Sequence, residues 1–326
     1  MEDATRARFP DAQPAAGFYE SYYLRASHPS DPLGIWLRYT VHKRPGARPN
    51  GSLWFTLFDG NADSPQATKV TVSELDAGGD GYIQIARSTF GENRVLGSAG
   101  PATWDLQLSD GAPELLHLPY GWMYTAKIPR TKTLSPHPAV LISGGASIDG
   151  RSVDLDRWPG MVGHNWGAEH AERWVWMHGI GFEGHGPDTW LDVAIGRVKV
   201  GPLTTPWIAS GAISLNGRRY PLGGAERIRS TEINESPTGC HFALPGDGIV
   251  VKGSVGSDKR NFVGWVYADP GGSEHNTVNC SISEMRLTVS RQGEPDTTLH
   301  TPSGATYELG MREKDHGIPI QPFPDG

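Results

Sequence analysis

The chain has 326 residues, which exceeds the usual size of one domain, so we expect two domains. Its 29 lysine and arginine residues against 36 aspartate and glutamate residues give a net charge of −7, which argues against a nucleic-acid partner because such a protein needs a basic face. No run approaches the roughly 18 apolar residues of a membrane span, and residues 1–17 lack the apolar core of a signal peptide. We therefore predict a cytoplasmic protein without an integral membrane segment.

Alternation of apolar and polar residues dominates the chain from residue 33 onward. In the segment 33–43 the odd positions are apolar up to Val41, whereas Arg38, Thr40 and His42 lie on the other face. Segments of the same kind recur up to 283–292, and 42 glycines and 26 prolines are scattered between them as turn residues. The pattern predicts an all-β protein built from barrels or sandwiches.

Two dipeptides mark tight hairpins, and one segment is a candidate for a single helical turn. Asp149-Gly150 and Asn216-Gly217 both join strand-like segments, and such pairs favour type I′ turns, in which both central residues have positive φ. The segment 167–174 is the candidate helical turn. We place the domain boundary next to it, which gives an N-terminal domain 1–172 and a C-terminal domain 173–326. A barrel of about eight strands has a mouth that admits one small ligand.

Neither cysteine nor histidine spacing predicts a metal or a cofactor. Cys240 and Cys280 lack a CxxC spacing, and we expect two buried thiols rather than a disulfide. His164 and His170, with Glu169 between them, do not have the HExxH spacing of a zinc site. We therefore predict no cofactor and no metal.

The densest cluster of chemically informative residues lies between residues 158 and 192. This stretch holds five of the eleven tryptophans and four of the twelve histidines. Side chains two apart on a strand share a face, and this rule predicts three groups: His164 with Trp166; Trp174 with Trp176 and His178; and Trp190 with Asp192.

Asp192 is the candidate general acid. A carboxyl group on the same face as an indole, in an otherwise apolar strand, is costly to bury as an anion, so burial should raise the pKa of Asp192 and keep it protonated. A protonated carboxyl group near neutral pH is what acid catalysis requires. The alternatives are a solvent-facing or turn-bonding Asp192, a structural His164, and tryptophans that only pack in the core.

At the segments GMVGHNWG (160–167) and RWVWMHG (173–179), the chain resembles lipocalin-like proteins that include AttH-type proteins and the carotenoid 1,2-hydratases, also called hydroxyneurosporene synthases. The stretches ESYYLRASHP, WLRYTV and TWDLQL extend the resemblance over most of the chain. It implies two consecutive lipocalin-like antiparallel β-barrel domains with a ligand cavity. It also implies a catalytic His-x-Trp pair at His164 and Trp166 and a catalytic acid at Asp192, with Trp190 where the hydratases have tyrosine.

These observations lead to one leading hypothesis and three alternatives. The leading hypothesis is a cofactor-free enzyme that hydrates or cyclises a hydrophobic isoprenoid or polyketide-like olefin. Asp192 would protonate the double bond, His164 would orient Asp192 or accept a proton from water, and tryptophans would stabilise the cation. Trp166, Trp190, Trp174, Trp176 and His178 are the candidate substrate-binding residues. The alternatives are a non-catalytic carrier of a hydrophobic ligand, a pericyclase, and a glycan-binding module.

Overall fold

The computed structural model describes residues 5–13, 15–77 and 81–323, and residues 1–4 of the segment analysed for a signal peptide lie outside this part. Helical structure in the described residues is confined to four short 3-10 turns, at Phe9–Asp11, Gly121–Tyr124, Ala225–Ser230 and Lys259–Asn261. None of these turns is long and apolar enough to cross a membrane. The rest of the regular structure is β, as the alternating pattern predicts.

The first sheet contains twelve strands from the first half of the chain. They are β1 (Phe18–Ser27), β2 (Leu33–Lys43), β3 (Asn50–Asp59), β4 (Gln66–Val72), β5 (Leu75–Asp76), β6 (Gly81–Ile85), β7 (Ser88–Gly91), β8 (Arg94–Ala99), β9 (Ala102–Ser109), β10 (Leu115–Leu116), β11 (Thr131–Ile148) and β12 (Arg151–Gly167). The spatial order is β4-β3-β2-β1-β12-β11-β9-β8-β7-β6-β5, with β10 paired to β11. Long strands curl this sheet into a nearly closed barrel.

The second sheet contains ten strands from the second half of the chain. In chain order the remaining strands are β13 (Arg173–Gly179), β14 (Trp190–Arg197), β15 (Lys199–Val200), β16 (Leu203–Thr204), β17 (Ile208–Leu215), β18 (Arg218–Gly223), β19 (Glu232–Ser236), β20 (Gly239–Pro245), β21 (Ile249–Gly256), β22 (Val263–Ala268), β23 (Glu274–Arg291) and β24 (Thr297–Met311). Its order is β18-β17-β14-β13-β24-β23-β21-β20-β19, with β22 on β23, while β15 and β16 form a separate hairpin. The fold is therefore all-β with two barrel domains, as predicted.

The sheets change over between Gly167 and Arg173. The boundary at residue 172 stays a prediction, and it falls in the segment that joins the two sheets. The helical turn that we considered at 167–174 is not formed, because residues 168–172 are an irregular connection with bends between β12 and β13.

Local predictions on hairpins and cysteines are confirmed. Asp149 and Gly150 have φ of 50° and 80°, and Asn216 and Gly217 have 48° and 81°, the left-handed pairs that a type I′ turn requires. Cys240 and Cys280 are free, buried thiols.

Strands β1, β2 and β3 form a wall that is buried on both sides. On β1, Tyr22 and Leu24 belong to the core of the first barrel, whereas Tyr23 packs with Trp176 of the second. On β2, Leu37 and Tyr39 face the first core, while Trp36 belongs to the core of the second barrel. Because side chains alternate along a strand, even and odd positions of the wall serve different barrels.

Buried polar groups tie the second barrel to this wall. The guanidinium group of Arg25 on β1 donates to the carbonyl oxygens of Ser281 (2.8 Å) and Gly304 (3.1 Å) in the second domain and also bonds to Ser27. Burial lowers the pKa of Arg25 to about 9, so the group stays charged at neutral pH. A fork of several donors is needed to reach all these acceptors at once.

We expect Arg25→Lys to destabilise the protein although it keeps the charge. One ammonium group cannot serve the carbonyls of Ser281 and Gly304 and the Ser27 hydroxyl together, and a buried carbonyl without a donor costs about 1–3 kcal/mol. Urea unfolding should show a loss of that size, with Arg286→Lys at an exposed position as the control. Equal stability of the two variants would show that Arg25 does not hold the barrels together.

Candidate active site between the two barrels

His164 and Trp166 point into the first barrel. Their rings lie 4.5 Å apart, which agrees with the predicted shared face. His164 also stacks on Tyr22 with ring centroids 4.1 Å apart, and its Nε2 lies 2.8 Å from Oε1 of Glu20. His164 and Glu20 are fully buried.

Glu20 connects His164 to the segment that precedes β1. Its carboxylate accepts hydrogen bonds from the backbone N–H groups of Arg8 (2.8 and 2.9 Å) and Phe9 (2.7 Å). The guanidinium group of Arg8 lies over the Trp166 ring at 5.3 Å. The His-x-Trp pair therefore anchors the N-terminal segment against the first barrel.

The expectation that His164 orients Asp192 is wrong in its geometry. His164 on β12 lies directly opposite Tyr22 on β1, and both side chains point into the first barrel. Asp192 instead bonds to Ser135, on the opposite face of the first sheet. The neighbouring Gly163 lies under the Tyr23 ring, and a Cβ at this position would come within 2.1 Å of the ring and force Tyr23 to move. The acid and the predicted histidine are thus held by different partners.

Asp192 is fully buried between the barrels, and its carboxylate contacts Ser135, His117 and Trp176. Its Oδ2 accepts a hydrogen bond from the Ser135 hydroxyl at 2.5 Å and lies 3.5 Å from Nε2 of His117. Its Oδ1 accepts a hydrogen bond from the indole N–H of Trp176 at 3.2 Å. Ser135 and His117 come from the first domain and Trp176 from the second, so the site forms only where the two barrels meet.

His117 reaches this site from the loop after β10. Its Nδ1 lies 3.0 Å from the carbonyl oxygen of Ser210 on β17, and the Ser210 hydroxyl donates to the His117 carbonyl. A carbonyl only accepts, so Nδ1 carries a proton and Nε2, which faces Asp192 and Ser135, is the nitrogen that titrates. This arrangement lets the ring donate a proton towards the carboxylate.

The expected protonation state of Asp192 is also corrected. Burial by itself would raise the pKa of Asp192, but the imidazole of His117 and the Ser135 hydroxyl lower it below its ordinary value. Burial would lower the pKa of His117, yet Asp192 raises it. Both shifts favour the same charge state, an imidazolium beside a carboxylate, with the transferable proton on His117.

His178 lies opposite Asp192 in the β13–β14 ladder and contacts the first domain. Its Nε2 donates to the Pro138 carbonyl at 2.8 Å, and Nη1 of Arg25 lies 3.5 Å from Nδ1. Burial and the Arg25 charge lower the pKa of His178 to about 4. His178 is therefore a neutral residue in the contact between the barrels.

A cleft of about 280 Å³ between the barrels reaches the face of β14 that carries Asp192. Trp190 lines it and packs with Leu115, Ala139 and Ala212, and the guanidinium group of Arg219 covers the Trp190 ring at 5.1 Å. Asp192, two residues further along the strand, does not line the cleft. Among the described residues, Trp190 thus lies between the cleft and the buried Asp192.

The remaining predicted residue, Trp174, lies elsewhere. Its ring stacks near His170 and contacts His275, and its N–H donates to Glu308 at 2.9 Å. Of the seven predicted site residues, the structure thus gathers four at the contact between the barrels, namely Asp192, Trp176, Trp190 and His178.

Sequence reasoning did not identify His117 or Ser135. Ser135 follows Leu134 in a strand where alternation separates their faces, but nothing local indicates that its face meets a second sheet. His117 lies in a short loop and becomes informative only through Ser210 and Asp192, which are distant in sequence.

Comparison with known proteins places the fold in the AttH-like class of double β-barrels. No protein-family model matches the chain. Two solved structures extend over almost the whole chain: a candidate AttH of Nitrosomonas europaea (14% identity, 92% of this chain and 94% of that one, TM-score 0.56) and kievitone hydratase of Nectria haematococca (9%, 91% and 89%, TM-score 0.51). CghA bound to Sch210972 is similar as well (12%, 90% and 89%, TM-score 0.60). These likenesses confirm the fold that the sequence resemblance implied.

Two uncharacterized proteins of Mycobacterium tuberculosis, from strains CDC 1551 / Oshkosh and ATCC 25618 / H37Rv, are similar in sequence. Each is 25% identical over 181 residues, which is 55% of this chain and 54% of the relative. The match thus spans about half the length of these relatives.

We expect His178 to make the protein less stable in acid. The unfolded chain takes up a proton at this histidine near pH 6.5, whereas the folded chain resists protonation until about pH 4, so the free energy of unfolding should fall as the pH drops through this window. The full contribution is roughly 3 kcal/mol. In His178→Gln, whose amide can still donate to Pro138, this part of the pH dependence should vanish in urea titrations between pH 4 and 7.

The exposed His241→Gln serves as the control for the loss of one histidine. If His178→Gln and the wild type lose stability in parallel on acidification, His178 is not buried in its neutral form.

Proposed function

We propose that the protein is a cofactor-free enzyme that binds a hydrophobic olefin in the cleft between its barrels and hydrates or cyclises it. The observation that carries this proposal is the buried His117–Asp192 pair, assembled from both domains beside a cleft that Trp190 lines. Similarity in fold to kievitone hydratase, a hydratase by name, supports the choice of hydration. The acid differs from the sequence-based hypothesis, because the proposal assigns the transferred proton to His117.

The proposed reaction begins with proton transfer from Nε2 of His117 to one carbon of the substrate's double bond. Asp192 keeps the ring oriented and stabilises its charge before the transfer. The other carbon becomes cationic and is attacked by water or by an oxygen of the substrate. The attacking oxygen then loses a proton to the His117–Asp192 pair, so the enzyme returns to its starting state and no electrons are gained or lost.

Two features of the site suit a cationic intermediate. The indoles of Trp176 and Trp190 share the face of the second sheet that carries Asp192, and an indole face stabilises a desolvated cation by about 2 kcal/mol. The anionic Asp192 adds an attractive charge. Because Asp192 does not line the cleft, the substrate must displace part of the packing around Trp190 to reach the pair.

Turnover in D₂O tests this proposal directly. Linear isoprenoid alcohols such as farnesol, and prenylated phenols, are incubated with the protein and analysed by mass spectrometry. In H₂O, hydration adds the mass of one water, whereas cyclisation changes the chromatographic retention time and leaves the mass unchanged. In D₂O, both products carry one deuteron on carbon. We expect His117→Gln and Asp192→Asn to lower the rate by roughly 100- to 10,000-fold while the binding of the same compounds persists.

Asp154→Asn, at an exposed position on β12, is the matched control and should retain full activity. Product formed without deuterium incorporation would indicate a pericyclic reaction and contradict proton transfer. Full activity of Asp192→Asn would also overturn the proposed mechanism.

A carrier function is the second candidate, and the separation of Asp192 from the cleft favours it. A carrier needs only the apolar cleft and its few polar edges. In this case the protein should retain a ligand through purification, and neither the wild type nor any variant should turn the compounds over. His117→Gln and Asp192→Asn should bind the compounds as tightly as the wild type does.

Both candidates require the cleft, and Ala112→Trp tests that requirement. Ala112 is half-buried on the wall of the cleft, so an indole at this position should fill the space in front of Trp190. We expect at least roughly tenfold weaker binding of the isoprenoid probes, a loss of about 1.4 kcal/mol in binding free energy. Unchanged binding, with stability preserved in thermal unfolding, would place the ligand elsewhere.

A further inference from the structure

A second polar cluster lies at the junction of the two sheets, apart from the His117–Asp192 pair. It consists of His170 in the connecting segment, Asp269 directly after β22, and His275 on β23. One potential ligand atom of each residue lies within 4.8 Å of those of the other two. The three side chains come from separate parts of the sequence, so no local motif predicts the cluster.

The cluster is buried, and several of its nitrogens have no hydrogen-bond partner. The side chains of His170, Asp269 and His275 are 8%, 2% and 0% exposed. Among the described residues, Nε2 of His170 and both ring nitrogens of His275 make no hydrogen bond. The backbone of Ala171 acts electrostatically on the His275 ring but does not meet hydrogen-bond geometry. Buried imidazole nitrogens without partners are costly, and Nδ1 of His275 lies only 3.9 Å from the Asp269 carboxylate, which points to a group bound between them.

The carboxylate of Asp269 is placed to serve two roles. Its Oδ1 accepts hydrogen bonds from Nδ1 of His170 at 2.8 Å and from the His170 backbone N–H at 2.7 Å, so the carboxylate faces the Nδ1 edge of the His170 ring. Its Oδ2 lies 3.9 Å from Nδ1 of His275. An ion bound between the carboxylate and the two Nδ1 atoms would take the place of the proton on Nδ1 of His170, because a metal ligand must be deprotonated.

Aromatic rings enclose the cluster. Tyr19 stacks on His170 with centroids 4.0 Å apart, and the Trp174 ring lies 4.9 Å from the ring of His275. These contacts keep the imidazoles in place and limit the access of water. Such a closed environment suits a structural site more than a catalytic one.

We propose that His170, Asp269 and His275 bind a divalent transition-metal ion, with Zn²⁺ as the best match, and that the ion fastens the connecting segment to the second barrel. Two imidazoles and one carboxylate are ligands that Zn²⁺ commonly takes. Ligands about 2 Å from one ion lie at most about 4 Å apart, so the side chains must close by less than about 1 Å. Ser273, which donates to Oδ2 of Asp269 at 2.7 Å, would support the carboxylate from outside.

The test uses the full chain, purified without a histidine tag and stripped with EDTA. Zn²⁺ alone is titrated back while thermal unfolding is recorded, and Co²⁺ is added to a second sample as a spectroscopic probe. We expect one equivalent of Zn²⁺ to bind and to raise the unfolding midpoint, because a ligand of the folded state stabilises it. Co²⁺ should produce visible d–d bands, and Mg²⁺ should have no effect, since it avoids imidazole ligands.

Substitutions assign the site. His275→Gln and Asp269→Asn should each weaken Zn²⁺ binding by at least roughly tenfold and remove the Co²⁺ bands, whereas His241→Gln at an exposed position should change neither. If His275→Gln does not fold, Asp269→Asn decides. Absence of Zn²⁺ uptake by the wild type, or equal affinity in the two cluster variants and the control, would overturn the proposal.

Discussion

The two-sided burial of one sheet wall determines where every functional group of this protein lies. Strands β1 to β3 are shared between two cores. Because side chains alternate along a strand, successive residues on these strands pack in different barrels. A one-residue slip of β1 would exchange Tyr22 with Tyr23 and move Arg25 into the first core. The register is therefore fixed by both barrels together. Side chains between the barrels are held as firmly as those in a hydrophobic core.

That shared wall also explains why polar groups concentrate between the barrels. The second barrel must pack on a face that carries Arg25 and Arg38, so it supplies carbonyl groups and aromatic rings that compensate them. Arg25 bonds to the carbonyls of Ser281 and Gly304, and Arg38 lies 4.0 Å from the Tyr267 ring. Such polar contacts are specific because a buried donor or acceptor left alone costs free energy. The same requirement positions His117 and Ser135 against Asp192.

Sequence patterns predicted the features that depend on residues close in sequence. They did not predict the features that depend on contacts between the two sheets. Alternation predicted the strands, the dipeptides Asp149-Gly150 and Asn216-Gly217 predicted the hairpins, and the spacing of His164 and Trp166 predicted their contact. Burial of Asp192 was predicted correctly as well. Its charge was not, because burial raises a carboxyl pKa only when no cation accompanies it, and His117 arrives from a different domain.

The two buried histidines between the barrels show why the partner, rather than burial, decides the chemistry. His117 and His178 are equally shielded from water, and desolvation lowers the pKa of both. His117 faces the Asp192 carboxylate and gains a proton, whereas His178 faces Arg25 and the Pro138 carbonyl and stays neutral. Of the two, His117 is the one whose environment favours the protonated form. Contacts made by the first barrel therefore determine which of the two histidines is the acid of the proposed reaction.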